Sequence, residues 1–138
     1  MKTKRLPEPK EADIQRSLFL WAQMMSREYP ELELLNASMN GAWIPGGKSR
    51  EAQSRKFAIV ARLKKLGCLR NGFPDISLPV PRGIYYGLYI ELKRKSGKVS
   101  KEQDWWIDRL LDQGYYAVVA RGLEQAKQII LMYLGRTV

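Results

Sequence analysis

The sequence predicts an α/β fold, a mixed β-sheet flanked by helices. Three observations carry this. Residues 73–78 and 87–93 are short apolar runs joined by the turn-rich Pro79-Val80-Pro81-Arg82-Gly83, the pattern of two hairpin strands. A helix, a strand and a helix follow, which adds a third strand and implies helices on both sheet faces. Apolar residues at helical spacing mark two more helices before the hairpin.

In chain order, residues 9–28 read as a helix. Pro9 suits its first turn, Glu11 and Asp13 complement its dipole, and Ile14, Leu18, Ala22 and Met25 recur on one face, thickened by Trp21. Glu11 is spaced to share that face at the first turn, where it serves either a charged site or only the helix dipole. Tyr29-Pro30 ends the helix, and 32–37 reads as a short strand. A glycine-rich loop follows over 38–47, with Trp43 available for stacking or for packing.

Residues 50–66 form a second expected helix, with Ala52, Ile59, Leu63 and Leu66 on one face and Arg55, Arg62 and Lys65 on another. Residues 48–70 hold eight basic side chains against Glu51 alone. A solvated face usually mixes signs, so this run reads as a footprint for phosphates. Lys48, Arg50, Arg55, Lys56, Arg62 and Lys65 are its candidate phosphate contacts, joined by Arg94, Lys95 and Lys98 of the turn after the hairpin. Ser100 opens a helix to about residue 113, with Gln103 at the spacing of a capping box. That explanation is complete in itself, yet Gln103 also shares the inward face of Trp106, Ile107 and Leu110. Residues 116–120 read as a buried strand and 122–134 as the last helix.

The hairpin carries the candidate chemistry. Side chains alternate along a strand, so Leu88, Ile90 and Leu92 share one face while Tyr89, Glu91 and Lys93 share the other. A fold about Gly83 places Asp75 opposite Glu91, roughly 5 Å apart at Cβ, with Lys93 in reach. A bland alternative is an edge ion pair of Glu91 and Lys93 beside a turn aspartate. Buried charges need compensation, however, and two carboxylates with a lysine suit a divalent cation.

Composition narrows the chemistry. The chain has 138 residues, no histidine and one cysteine. Histidine-based catalysis, zinc fingers and histidine-ligated haem are excluded, which leaves oxygen ligands and hence Mg²⁺ or Mn²⁺. The length suits one domain, with a core over about 9–134 and a short basic tail over 1–8. The formal charge of +10 favours a polyanionic partner. No apolar run approaches a membrane span, and the lone thiol fits a reducing compartment. The expectation is a soluble, cytoplasmic protein.

With these residues placed, the sequence resembles the PD-(D/E)XK nuclease superfamily through Pro74-Asp75, then Glu91-Leu92-Lys93, with helical Glu11 before them. More narrowly it resembles the virus-type replication-repair nuclease (VRR-NUC) domain in its stand-alone phage form. That match rests on Glu11 with Ile14-Gln15, Gly72-Phe73-Pro74-Asp75, Tyr89-Ile90-Glu91-Leu92-Lys93, and Gly97-Lys98 through Ser100 to Gln103. The resemblance implies a restriction-endonuclease-like core and a metal-dependent DNA endonuclease. Asp75, Glu91 and the Leu92 carbonyl would hold Mg²⁺ or Mn²⁺, with Glu11 as a further candidate ligand. Lys93 would position water or offset phosphate charge, assisted by Glu11 and Gln103. Stand-alone members resemble four-way (Holliday) junction resolving enzymes that act as homodimers, whereas fused relatives act on flapped or other branched DNA. A non-catalytic DNA-binding or packaging protein and an RNA-directed nuclease are the rival readings.

Overall fold

The computed structural model describes residues 5–41 and 46–136 and carries four helices on a four-stranded mixed sheet. The elements are α1 (Glu11–Met25), β1 (Asn36–Ala37), α2 (Arg50–Lys65), β2 (Ile76–Leu78), β3 (Leu88–Lys93), α3 (Lys101–Asp112), β4 (Tyr116–Arg121) and α4 (Leu123–Tyr133). Short 3-10 helices span Pro30–Leu34 and Met39–Gly41. The sheet order is β1-β2-β3-β4, antiparallel for the first two pairs and parallel for β3 with β4.

The hairpin register is the one the turn dictates. Ile76 pairs Ile90 and Leu78 pairs Leu88, so the same register extended by one residue sets Asp75 opposite Glu91. Its reversal is a tight turn at Gly83 and Ile84, closed by two hydrogen bonds between Arg82 and Tyr85. Gly83 takes a φ of +55°, which glycine adopts without steric penalty. Alternation then separates two faces. Ile76, Leu78, Leu88, Ile90 and Leu92 are all fully buried in one cluster with Ile14 and Leu18 of α1 and Ala126 and Ile130 of α4. Burial of each such Leu or Ile stabilises by about 1.5–3 kcal/mol, so this layer holds the sheet to its helices. The opposite face carries Tyr89, Glu91 and Lys93 under α3, with Phe73 edge-on to both Tyr89 and Trp106 at 5.8 and 5.0 Å.

Several sequence expectations shift. The first helix begins after Pro9 and ends at Met25, whose carbonyl is capped by the Glu28 and Tyr29 amides. Of the strand expected over 32–37, only Asn36 and Ala37 pair with β2; Pro30 starts a 3-10 helix that takes the preceding residues. The strand at 116–120 is half-buried, because β4 lies at a sheet edge. The largest departure is α2. It is well started by Ser49, whose hydroxyl accepts from the Ala52 amide at 3.1 Å, but only Ala52 of its apolar face is buried. Ile59 and Leu66 are exposed, and α2 makes no extensive contact with another described helix or strand. Helical periodicity identified a face here without a partner to cover it. Trp43 lies outside the described residues.

Gly72 fixes how the hairpin meets α3. Its φ is +81°, and a Cβ there would lie 2.4–2.6 Å from the Glu102 and Gln103 backbone. Gly67 has a similar φ of +79° but open space around it. Gly67→Ala should therefore cost about 1–2 kcal/mol from backbone strain alone. Gly72→Ala should lower the melting temperature by at least twice the drop seen for Gly67→Ala. Equal drops would mean that the approach to α3 is not tight.

Candidate active site

Asp75 is held from two sides. Its backbone carbonyl accepts from the Ser38 amide at 2.8 Å, extending the β1 ladder by one residue. Its side chain turns the other way and accepts from the Leu92 amide at 2.9 Å. Buried Pro74, which lacks an N–H, leads into this position without leaving a donor unpaired.

Glu91 and Lys93, 3% and 8% exposed, are the two buried charged side chains among the described residues. Their separation, 3.9 Å from Lys93 Nζ to Glu91 Oε1, is that of a loose ion pair. Gln103 Nε2 donates to the same Glu91 oxygen at 2.6 Å. The other end of that amide, Gln103 Oε1, accepts from the Ser100 amide at 2.9 Å, while Ser100 Oγ accepts from the Gln103 amide. The capping box thus locks the very side chain that orients Glu91. Glu91 Oε2 is buried and, among the described residues, has no hydrogen-bond donor.

Peptide directions add one more oxygen. Lys93 O accepts from Gly122 N, so the N–H and C=O of odd-numbered β3 residues face β4. Leu92 N points to Asp75, and the N–H and C=O of one strand residue point to the same side. The Leu92 carbonyl therefore lies on the edge that β2 leaves open beyond Ile76.

Glu11 behaves differently from expectation. It is exposed at the first turn of α1 and does not share the buried face of Ile14 and Leu18. It still lines a cleft of about 490 Å³ with Asp75, Glu91 and Gln103, and its charge is felt by both carboxylates. Among the described residues, no group of three or more Asp, Glu, His or Cys side chains is gathered closely enough to hold a metal. The close pair is Asp75 with Glu91.

The basic residues divide. Lys48, Arg50, Arg55, Lys56, Arg62, Lys65, Arg94, Lys95 and Lys98 are all exposed, and of these Lys56 lines the cleft. Arg94 and Lys95 face a separate hollow beside Glu8, whose carboxylate is 3.7 Å from Arg94 Nε and binds Ser96 through its amide and hydroxyl. Lys64 and Arg70, outside the candidate contacts, are in the cleft wall. Lys56, Val60 and Lys64 recur every four residues, a stripe that sequence spacing offered. Asn40 offered no such signal. It clamps the loop wall by donating to the Arg70 and Phe73 carbonyls while accepting from the Arg70 amide.

A family model described as the VRR-NUC domain matches residues 10–124, and the chain belongs to that family. A solved structure described as a VRR_NUC domain protein is similar in fold, with a TM-score of 0.72 and 24% identity over 94% of this chain and 91% of that one. A comparison with curated proteins finds no match. The architecture is consistent with the PD-(D/E)XK superfamily.

Burial, reinforced by the negative charge of Asp75, pushes the Glu91 carboxyl up to about 8, and burial also raises Asp75. Folded Glu91 therefore binds a proton more tightly than unfolded Glu91, whose carboxyl titrates near 4.5. The stability resting on that proton is complete below pH 4.5 and is lost as pH climbs to about 8. Thermal melts in EDTA should show wild type losing stability across this window and Glu91→Gln flattening the slope. Parallel slopes for the two proteins would show that the carboxyl is already ionised at low pH.

Proposed function

We propose that the chain is a metal-dependent, structure-selective DNA endonuclease that hydrolyses phosphodiesters in branched DNA, four-way junctions among them. The observation that supports it most is the pairing of Asp75 and Glu91 in one cleft with an orphaned Glu91 oxygen. An all-oxygen set of two carboxylates and the Leu92 carbonyl suits Mg²⁺ or Mn²⁺. The chemistry supplied by such a cation, when bound, is charge neutralisation on the phosphate and a more acidic water.

The remaining roles belong to the chain itself. The Leu92 amide fixes Asp75, and Gln103 fixes Glu91, so both carboxylates are set before substrate arrives. Lys93, 3.9 Å from Glu91, offsets the negative charge of the pair and would do the same for the phosphate. Glu11 assists from the cleft wall. Lys56, Lys64 and Arg70 hold the DNA backbone beside the reacting phosphate, while the other exposed cations of α2 add salt-sensitive attraction.

One domain spanning the chain and a homodimer complete the proposal, since two symmetric cuts need two sites. Among the described residues no helix is long and apolar enough to cross a membrane. We place the protein in the cytoplasm.

End-labelled four-way, flap, splayed and duplex DNAs, incubated with Mg²⁺ or Mn²⁺ and with EDTA, test the activity. Cleavage should require metal and fall by at least about 100-fold in Glu91→Ala and Lys93→Ala, with DNA binding retained. Tight binding without metal-stimulated cleavage of any substrate would favour a non-catalytic DNA-binding protein. Ribo-substrates cut in preference would favour an RNA-directed nuclease.

A further inference from the structure

Trp105 and Trp106 are adjacent on α3 but differ in their surroundings. Trp106 donates from its indole N–H to the Asn71 carbonyl at 3.0 Å, meets Phe73 edge-on and carries the Arg70 guanidinium 5.0 Å from its ring centre. It is committed to packing. Trp105 is 51% exposed, touched at its edge by Trp106 at 5.3 Å and approached by Arg109 at 5.9 Å.

A groove of about 580 Å³ runs beside Trp105. Lys64, Leu69, Arg70 and Asn71 line both this groove and the cleft of Asp75 and Glu91, so the two adjoin. Three cations, Lys64, Arg70 and Lys101, face it against the single carboxylate of Glu102. Cations spaced along a groove with a large indole set among them match a single nucleic-acid strand, whose phosphates and base faces alternate. A paired duplex offers no free base face to such a ring.

We propose that this groove is a single-strand subsite, in which one unpaired base of the DNA stacks on Trp105 while Lys64, Arg70 and Lys101 contact its phosphates. This rests on the nuclease reading and extends it, because it assigns a recognition residue that the Asp75 and Glu91 chemistry does not use. The helix that presents Trp105 is also the one whose capping box orients Glu91 through Gln103, so stacking fixes the strand relative to the carboxylates.

The test is binding in EDTA, by fluorescence anisotropy, of a DNA duplex bearing a single-stranded arm, made with normal nucleotides or with abasic sites in the arm. Wild type should bind the normal arm about tenfold more tightly than the abasic one. Trp105→Ala should bind the two alike, and Trp105→Tyr should keep most of the difference. A loss on Trp105→Ala that is equal for both arms, or a base preference that survives it, overturns the subsite. So does light scattering that shows Trp105→Ala converting a dimer to a monomer, which would make this face an interface between copies. Because no cleavage is needed, a protein that stacks bases but cuts nothing would sink only the nuclease reading.

Discussion

Two carboxylates held side by side in a mostly buried position set the terms for the rest of this molecule. Asp75 and Glu91 repel each other, and burial weakens the water that would screen them. Each is nonetheless fixed by a donor that comes from elsewhere in the fold. The Leu92 amide holds Asp75, and Gln103 holds one oxygen of Glu91. Lys93 is near enough to attract Glu91 but too far for a strong hydrogen bond. The arrangement leaves a charge only partly compensated by the protein, as the proposed cation site would require.

The surrounding elements follow from that requirement. The apolar face of β3 anchors the strand against α1 and α4, leaving the opposite face free for Glu91 and Lys93. Gly72 lets the entry to β2 press against the start of α3, and this close approach brings Gln103 within reach of Glu91. Because α3 is capped through the same Gln103 side chain, a helix-starting device and a site-orienting device are one group of atoms. Asn40 ties the loop around Arg70 and Phe73 in place, and so builds the wall across which cations face the carboxylates.

The hairpin was legible in the sequence because one glycine and two alternating runs determine a register, and register determines which side chains meet. The capping box was legible for a similar reason: its partners are three residues apart. What sequence could not supply was contact between distant segments. Asn40 meets Arg70 across 30 residues, and Glu8 meets Ser96 across 88, with no local pattern to announce either. The basic run from 48 to 70 was visible as charge, but its division into a cleft stripe of Lys56 and Lys64 and an outward set depends on how α2 stands, which its exposed apolar residues did not reveal. Glu11 shows the limit of helical spacing, which gives an angle around the axis and not whether a first-turn residue is covered.

Crystals of the protein soaked in Mn²⁺ and measured for anomalous scattering test the central claim most directly. The expected result is a peak between the Asp75 and Glu91 carboxylates, beside the Leu92 carbonyl, that disappears in Asp75→Asn. Well-ordered carboxylates with no peak between them, or manganese bound only elsewhere, would contradict the account.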